Sequence, residues 1–226
     1  MFELDRLGAW GELEFFSRTL PDIQAQIAAD TRTVLPPSQL VFNALERVQP
    51  NDVRVVILGQ DPYHTVGKAD GLAFSITADF GGRLDSLGNI LKELRDDTGT
   101  VRTRTQLDDW ADQGVLLLNT ILTVPEGLPK GHAKLGWQTL TGQILRHLAT
   151  APRAYLLWGG PAHKAAQEVE ASMNFKLLSS HPSPLGVTKR GATFEAFRGS
   201  KPFSRTNAWL RSQGHGSINW SDPEAL

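Results

Sequence analysis

The sequence predicts an α/β fold: one α/β/α domain over residues 1–226, with a central, mainly parallel and roughly four-stranded sheet flanked by helices. Three observations predict it. Short apolar runs alternate along the chain with segments of helical periodicity, the pattern of strands joined by helical crossovers. The clearest runs, Val55 to Leu58 and Val115 to Leu118, are apolar throughout, as strands buried on both faces are. No internal repeat, low-complexity tract or linker interrupts the 226 residues, and a hydrophobic fraction of 40% is ample for a single core.

The elements follow in order. Gly8 to Leu20 and Asp22 to Ala29 read as helices, with Pro21 starting the second. Pro36-Pro37 is a rigid break. Ser38 then caps a helix with Leu40, Val41, Ala44, Leu45 and Val48 on one face. Arg54 to Leu58 is the first strand, and Leu72 to Ile76 a second strand-like run. Ser86 to Asp97 is an amphipathic helix ended by Gly99, and Leu107 to Gln113 a short helix stopped by Gly114. Val115 to Asn119 is a buried strand, Trp137 to Ala149 a helix, and Ala154 to Trp158 another strand. A helix over Ala162 to Ala171, a strand over Phe175 to Ser179 and a final helix carrying Trp209 complete the chain.

Composition removes several function classes. There are no cysteines, so disulfides, thiolate metal sites and a cysteine nucleophile are excluded, and a reducing compartment suits the chain. Met1 to Leu20 has no apolar signal core, and no run approaches the length that spans a bilayer. We therefore expect a cytoplasmic monomer with no membrane partner. The net charge is −1, yet Lys189 to Arg211 holds six basic residues against Glu195 alone. Such a stripe on an otherwise acidic chain is what docking on a phosphate backbone needs; a solvated face is the equal alternative.

The polar residues that follow the strands carry the chemistry. Val55 to Leu58 runs into Gly59-Gln60-Asp61-Pro62-Tyr63-His64. Two further strands lead to Asn119 and to His181. Parallel strands put their carboxyl ends on one edge, where ligands of open α/β sheets bind, so Asp61, Asn119 and His181 should meet. Singly each reads as a turn residue or a hydrogen-bonded bystander. Together they offer a carboxylate, an amide that donates and accepts, and an imidazole. That set suits recognition and cleavage of a small polar heterocycle. It makes a poor metal site, and no Gly-x-Ser-x-Gly elbow supports a serine hydrolase.

Gly59 to His64 resembles the first motif of the family 1 uracil-DNA glycosylases. Further segments resemble that family in the same order: Gly71 to Ser75, Leu116 to Asn119, Gly136-Trp137, Leu156 to Gly159, His181-Pro182-Ser183-Pro184-Leu185 and Phe203 to Asn207. The resemblance implies a monofunctional, cofactor-free enzyme that hydrolyses the N-glycosidic bond of uracil in single- or double-stranded DNA after flipping the base out. Asp61 would stabilise the oxocarbenium sugar and orient or activate water, and His181 would stabilise the uracil anion. Tyr63 would exclude thymine, Phe74 would stack on the ring, Asn119 would read O4 and N3–H from a fixed orientation, and the backbone near Gln60 would bind O2.

For DNA, the resemblance implies phosphate contacts from Ser86, Ser183, Gly159 and Gly160. It makes Leu185 a wedge on a loop stiffened by Pro182 and Pro184. Lys189 and Arg190 open the basic stripe beside that wedge. His64 is either a phosphate contact or a partner of Asp61. A proteinaceous DNA-mimicking inhibitor is a further implied partner. Gly136, Trp137, Pro36, Pro37 and Trp158 hold the fold.

The chain departs from the family pattern where it grips DNA. Phe80-Gly81-Gly82-Arg83-Leu84-Asp85 stands where a proline-rich loop is usual, Gly160 and Gly186 stand for serines, and Thr65-Val66 and Ala69-Asp70-Gly71 replace other motif residues. Rival readings are a non-catalytic DNA-binding or replication-accessory protein on the same scaffold, and a glycosylase for another base. Asp61 and His181 argue against the first, Tyr63 and Asn119 against the second.

Overall fold

The computed structural model describes residues 2–223. A 3₁₀ turn over Gly8–Glu12 leads to helices α1 (Glu14–Arg18) and α2 (Leu20–Ala28). Strand β1 (Val34–Leu35), a 3₁₀ turn at Ser38–Leu40 and helix α3 (Asn43–Arg47) precede strand β2 (Val55–Gly59). Then come α4 (Ser86–Thr98), α5 (Asp108–Ala111), β3 (Val115–Asn119), β4 (Val124–Pro125), α6 (Trp137–Leu148), β5 (Ala154–Trp158), α7 (Gly160–Ala165), β6 (Phe175–Ser179) and α8 (Pro202–Ser212).

The main sheet has four strands in the order β3-β2-β5-β6, all parallel. Every residue of β2, β3 and β5 is buried, which is why their sequences are continuous apolar runs. The edge strand β6 keeps Phe175, Lys176 and Leu178 half-buried. Helix α8 packs on β5 and β6 with α4 beside it, α3 and α5 pack on β3, and α7 packs on β5 with α6 beside it. One continuous apolar cluster joins the sheet to these helices.

The chain leaves β2 for β3 on one side of the sheet and crosses to β5 on the other. The carboxyl ends of β2 and β5 therefore flank a crevice, where parallel sheets hold ligands. Among the described residues no helix is long and apolar enough to cross a membrane.

Tertiary contacts override local pattern in several places. The helix expected over Gly8 to Leu20 is broken at Leu13, whose ψ is 133°. Trp10 donates to the Val48 carbonyl (2.8 Å), and Gln143 accepts from the Phe15 amide (2.9 Å), so each half is anchored separately. Ser38 is not a helix cap: it opens a 3₁₀ turn, and α3 begins only at Asn43. Of the face expected there, Val41, Ala44, Leu45 and Val48 are buried and Leu40 is not.

Leu72 to Ile76 is buried but is not a strand. The Ala73 amide bonds the Leu117 carbonyl of β3 (2.9 Å), and the chain then turns at Phe74, whose φ is 66°. The helix expected to reach Ala171 stops at Ala165. The two-residue ribbon of β1 and β4 was not expected, being too short to show a periodicity.

Candidate active site

A cavity of about 380 Å³ opens at the carboxyl edge of the sheet. The β2 turn supplies Gln60, Asp61, Pro62, Tyr63 and His64; β3 supplies Asn119, the turn after β5 Gly159 and Gly160, and the loop after β6 His181 and Ser183. Phe74 and Ser86 line it as well, whereas the expected DNA-contact residues Pro184, Leu185, Lys189 and Arg190 do not. The groups expected to meet from three strand ends do line one cavity, which the parallel order of those strands explains.

Asp61 is held by two donors. Gln60 Nε2 donates to Oδ1 (2.9 Å), and the Lys130 backbone amide donates to Oδ2 (2.7 Å). Lys130 has a φ of 62°, and its neighbour Pro129 lines the cavity. The carboxylate is thus oriented by fixed dipoles from two loops. His64 is exposed and makes no side-chain hydrogen bond among the described residues, so Asp61 is partnered by Gln60 and Lys130 instead.

The tautomer of His181 follows from one bond. The Ser183 amide donates to His181 Nδ1 (3.0 Å). A backbone N–H can only donate, so Nδ1 accepts and the ring proton sits on Nε2. Burial pushes the imidazole below its ordinary value; the nearby Asp61 charge opposes this and the Lys130 charge adds to it. The result is a neutral imidazole with one N–H to offer.

Phe74 lies between two rings, 5.3 Å from Trp158 and 5.8 Å from His181. Trp158, expected only to hold the fold, therefore backs a residue of the site. Tyr63 donates from its hydroxyl to the Phe74 carbonyl (3.3 Å), which ties the two aromatic walls together. Burial pushes the Tyr63 phenol well up, and the Asp85 charge adds to this, so the hydroxyl stays protonated.

Asn119 is buried at the end of β3, in register with Gly59. A Cβ on Gly59 would lie 2.1 Å from Asn119 Oδ1. The glycine of the first motif is therefore the space that the amide occupies. Among the described residues no side-chain hydrogen bond reaches this amide, so packing against Gly59 is what holds the orientation that reading the base requires.

Leu185 is 86% exposed. Its loop is nonetheless tied down by hydrogen bonds: Gly186 and Val187 both donate to the Ser183 carbonyl (2.9 Å each), and Asn89 of α4 donates to the Pro182 carbonyl (2.7 Å). A Cβ on Gly186 would lie 2.6 Å from the His181 carbonyl, so the tight turn requires glycine. Pro184, Lys189 and Arg190 are exposed on this segment, outside the cavity lining.

The basic stripe does not remain one unit. Arg205 pairs with Glu195 (2.6 Å). Arg211 bonds Ser217 (2.9 Å), beyond Trp209, which stacks on Phe175 at the amino end of β6. Lys189 and Arg198 stay with the Leu185 loop through their amides, to the Gly186 carbonyl (2.8 Å) and the Val187 carbonyl (3.0 Å), while Arg190 lines a pocket together with Glu195 and Arg205.

Sequence reasoning missed Lys130, Pro129, Asn89 and Lys68. The first and third act on backbone or through it, and a backbone donor leaves no mark in residue type.

Comparisons with known proteins agree with this geometry. Residues 45–211 match the Uracil DNA glycosylase superfamily. A curated "Uracil-DNA glycosylase" of Ruegeria sp. (strain TM1040) is 46% identical over 217 residues, covering 96% of this chain and 90% of that protein. The crystal structure of mimivirus uracil-DNA glycosylase superposes with a TM-score of 0.87 at 24% identity, covering 97% of this chain and 87% of that one. A mimivirus UNG variant in complex with UGI gives 0.86, again at 24% identity, covering 97% and 89%. These two solved structures establish the shared fold, and the sequence matches establish kinship: the chain belongs to the uracil-DNA glycosylase superfamily.

Proposed function

We propose that this protein is a family 1 uracil-DNA glycosylase that hydrolyses the N-glycosidic bond of uracil in single- and double-stranded DNA. The observation that carries the reading is the pairing of a doubly held carboxylate, Asp61, with an imidazole whose only proton is on Nε2, His181, in one cavity.

The chemistry follows from those two groups. As the C–N bond lengthens, positive charge grows on the sugar and negative charge on uracil. Asp61 faces the first, and it accepts from or orients the attacking water. His181 Nε2–H donates to uracil O2 and faces the second. Both groups are fixed beforehand, so little reorganisation accompanies the charge separation. No covalent intermediate is needed.

Selectivity follows from the walls. Tyr63, tied to Phe74, leaves no room for a 5-methyl group, and Phe74 stacks on the ring. Asn119 reads O4 and N3–H, and cytosine would leave both amide groups mispaired. Ser86, Ser183, Gly159 and Gly160 contact phosphates, as does His64, whose free exposed ring favours that choice. A Cβ on Gly160 would meet nothing within 4 Å, which leaves space there for the DNA backbone. Leu185 fills the vacated stack. A proteinaceous DNA-mimicking inhibitor is a further proposed partner; the UGI complex of the mimivirus protein supports it.

The test is release of uracil from a uracil-containing oligonucleotide, with thymine and cytosine controls. Release of uracil alone is expected. No release from either strand form would overturn the reading, and equal release of thymine would overturn the role of Tyr63.

A further inference from the structure

We infer that Lys68 is a positioning residue that locks the DNA-gripping loop Phe80–Asp85 against the base-excluding Tyr63. The inference rests on the proposed glycosylase reading for its kinetic arm only.

The loop needs an external support. It holds two glycines and no proline, so its own sequence does not stiffen it. A Cβ at Gly81 would meet nothing within 4 Å. At its end, Asp85 has a φ of 47° with a ψ of −116°, a positive-φ conformation that a residue with a Cβ adopts only when its surroundings impose it. Ser86, the next residue, lines the cavity and starts α4.

Lys68 supplies the support. Its side chain is 4% exposed, an unusual state for a lysine. The ammonium donates to the Arg83 carbonyl (2.7 Å) and to the Asp85 carboxylate. It also sits 4.3 Å from the Tyr63 ring centroid and 5.1 Å from that of Phe80. One buried cation thus joins the loop before Ser86 to the turn that follows β2. Lys68 itself does not line the cavity, so it acts through Tyr63 and Ser86 and not on substrate. A charge-assisted bond inside protein is stronger than a surface pair, and it replaces the stiffness that the glycines lack.

The experiment compares wild type with Lys68→Met and Asp85→Asn. On DNA-free protein, amide hydrogen exchange over residues 80–86 should quicken in both variants while the sheet strands keep their protection. With uracil-containing duplex, KM should rise about tenfold in each while kcat changes by less than about threefold, the two effects being non-additive when combined. Unchanged exchange over 80–86, or a fall in kcat with KM intact, would overturn the inference. If Lys68→Met does not fold, Asp85→Asn carries the test, because that carboxylate is 42% exposed. A wild type that releases no uracil would overturn the glycosylase proposal and leave the exchange result standing as the test of the lock.

Discussion

At the scale of single residues, the reaction we propose has Asp61 and His181 divide its charge between them. Asp61→Asn keeps the shape and loses the negative charge, so kcat should fall about 10²- to 10⁴-fold with KM little changed. Single-turnover kinetics on a uracil oligonucleotide check this; wild-type kcat in the variant would remove Asp61 from the mechanism. His181 predicts a pH dependence with a definite sign. Its folded value lies below the ordinary 6.5 because burial disfavours the cation. The unfolded chain takes up the proton first, so the residue's contribution to stability is present above 6.5 and lost as pH falls through the folded value. Protonating Nδ1 also sets it against the Ser183 N–H, which breaks the bond that shapes the wedge loop. Duplex cleavage should hold steady down to 6.5 and decline only below it; a decline beginning above that value and traced to His181 would contradict the lowering by burial. The Gly59 to His64 motif made half of this pair legible in the sequence, and His181-Pro182-Ser183 the other half. Lys130 was not legible, because what it gives Asp61 is a backbone N–H in a left-handed turn.

At the scale of elements, legibility followed the source of the signal. The strands β2, β3, β5 and β6 fall where the apolar runs put them; in β2, β3 and β5 double burial writes itself as uninterrupted hydrophobicity, while the edge strand β6 is partly exposed and carries Lys176. Elements fixed by a distant partner were misread. Leu72 to Ile76 has strand composition, yet a single bond to β3 and the turn at Phe74 serve to place an aromatic over the cavity. The same economy appears in the packing of β2 on β3, where Gly59 makes room for Asn119. Gly59→Ala should cost about 1–3 kcal/mol by overpacking, since the new Cβ would meet Asn119 Oδ1 at 2.1 Å and Ala73 Cβ at 2.9 Å. Uracil excision should fall more steeply than stability does. Chemical denaturation beside kcat/KM separates the two, and unchanged excision in a folded Gly59→Ala protein would show that Asn119 does not read the base. In the loop after β6, Leu185→Ala should reduce duplex processing about tenfold and single-strand processing far less, because only a duplex has a stack to refill. Equal loss on both substrates would reject the wedge.

At the scale of the whole molecule, the problem is how a chain of net charge −1 holds a polyanion. The sequence alone offered a basic stripe from Lys189 to Arg211, but charge counted along a chain says nothing of pairing or direction. In the folded protein Arg205 is tied to Glu195 and Arg211 lies toward the amino-terminal edge of the sheet, while Lys189 and Arg190 are exposed in the segment that follows Leu185 and the Arg198 amide bonds that segment at Val187. We propose that basic residues concentrated near Leu185 on a chain of net negative charge favour approach of DNA at that loop, so that electrostatics orients the encounter as well as strengthening it. Each phosphate contact that releases a counterion adds about 0.9 to the slope of log K against log salt for duplex DNA. Lys189→Ala with Arg190→Ala should therefore reduce that slope by about 2 while leaving kcat at saturating DNA unchanged. Arg205→Ala should leave the slope where it was, because its charge is already balanced by Glu195. Titrations at several salt concentrations decide the matter. Were the stripe to act as one surface, Arg205→Ala would flatten the salt dependence as much as Lys189→Ala does, and the orienting role of the wedge loop would fall with it.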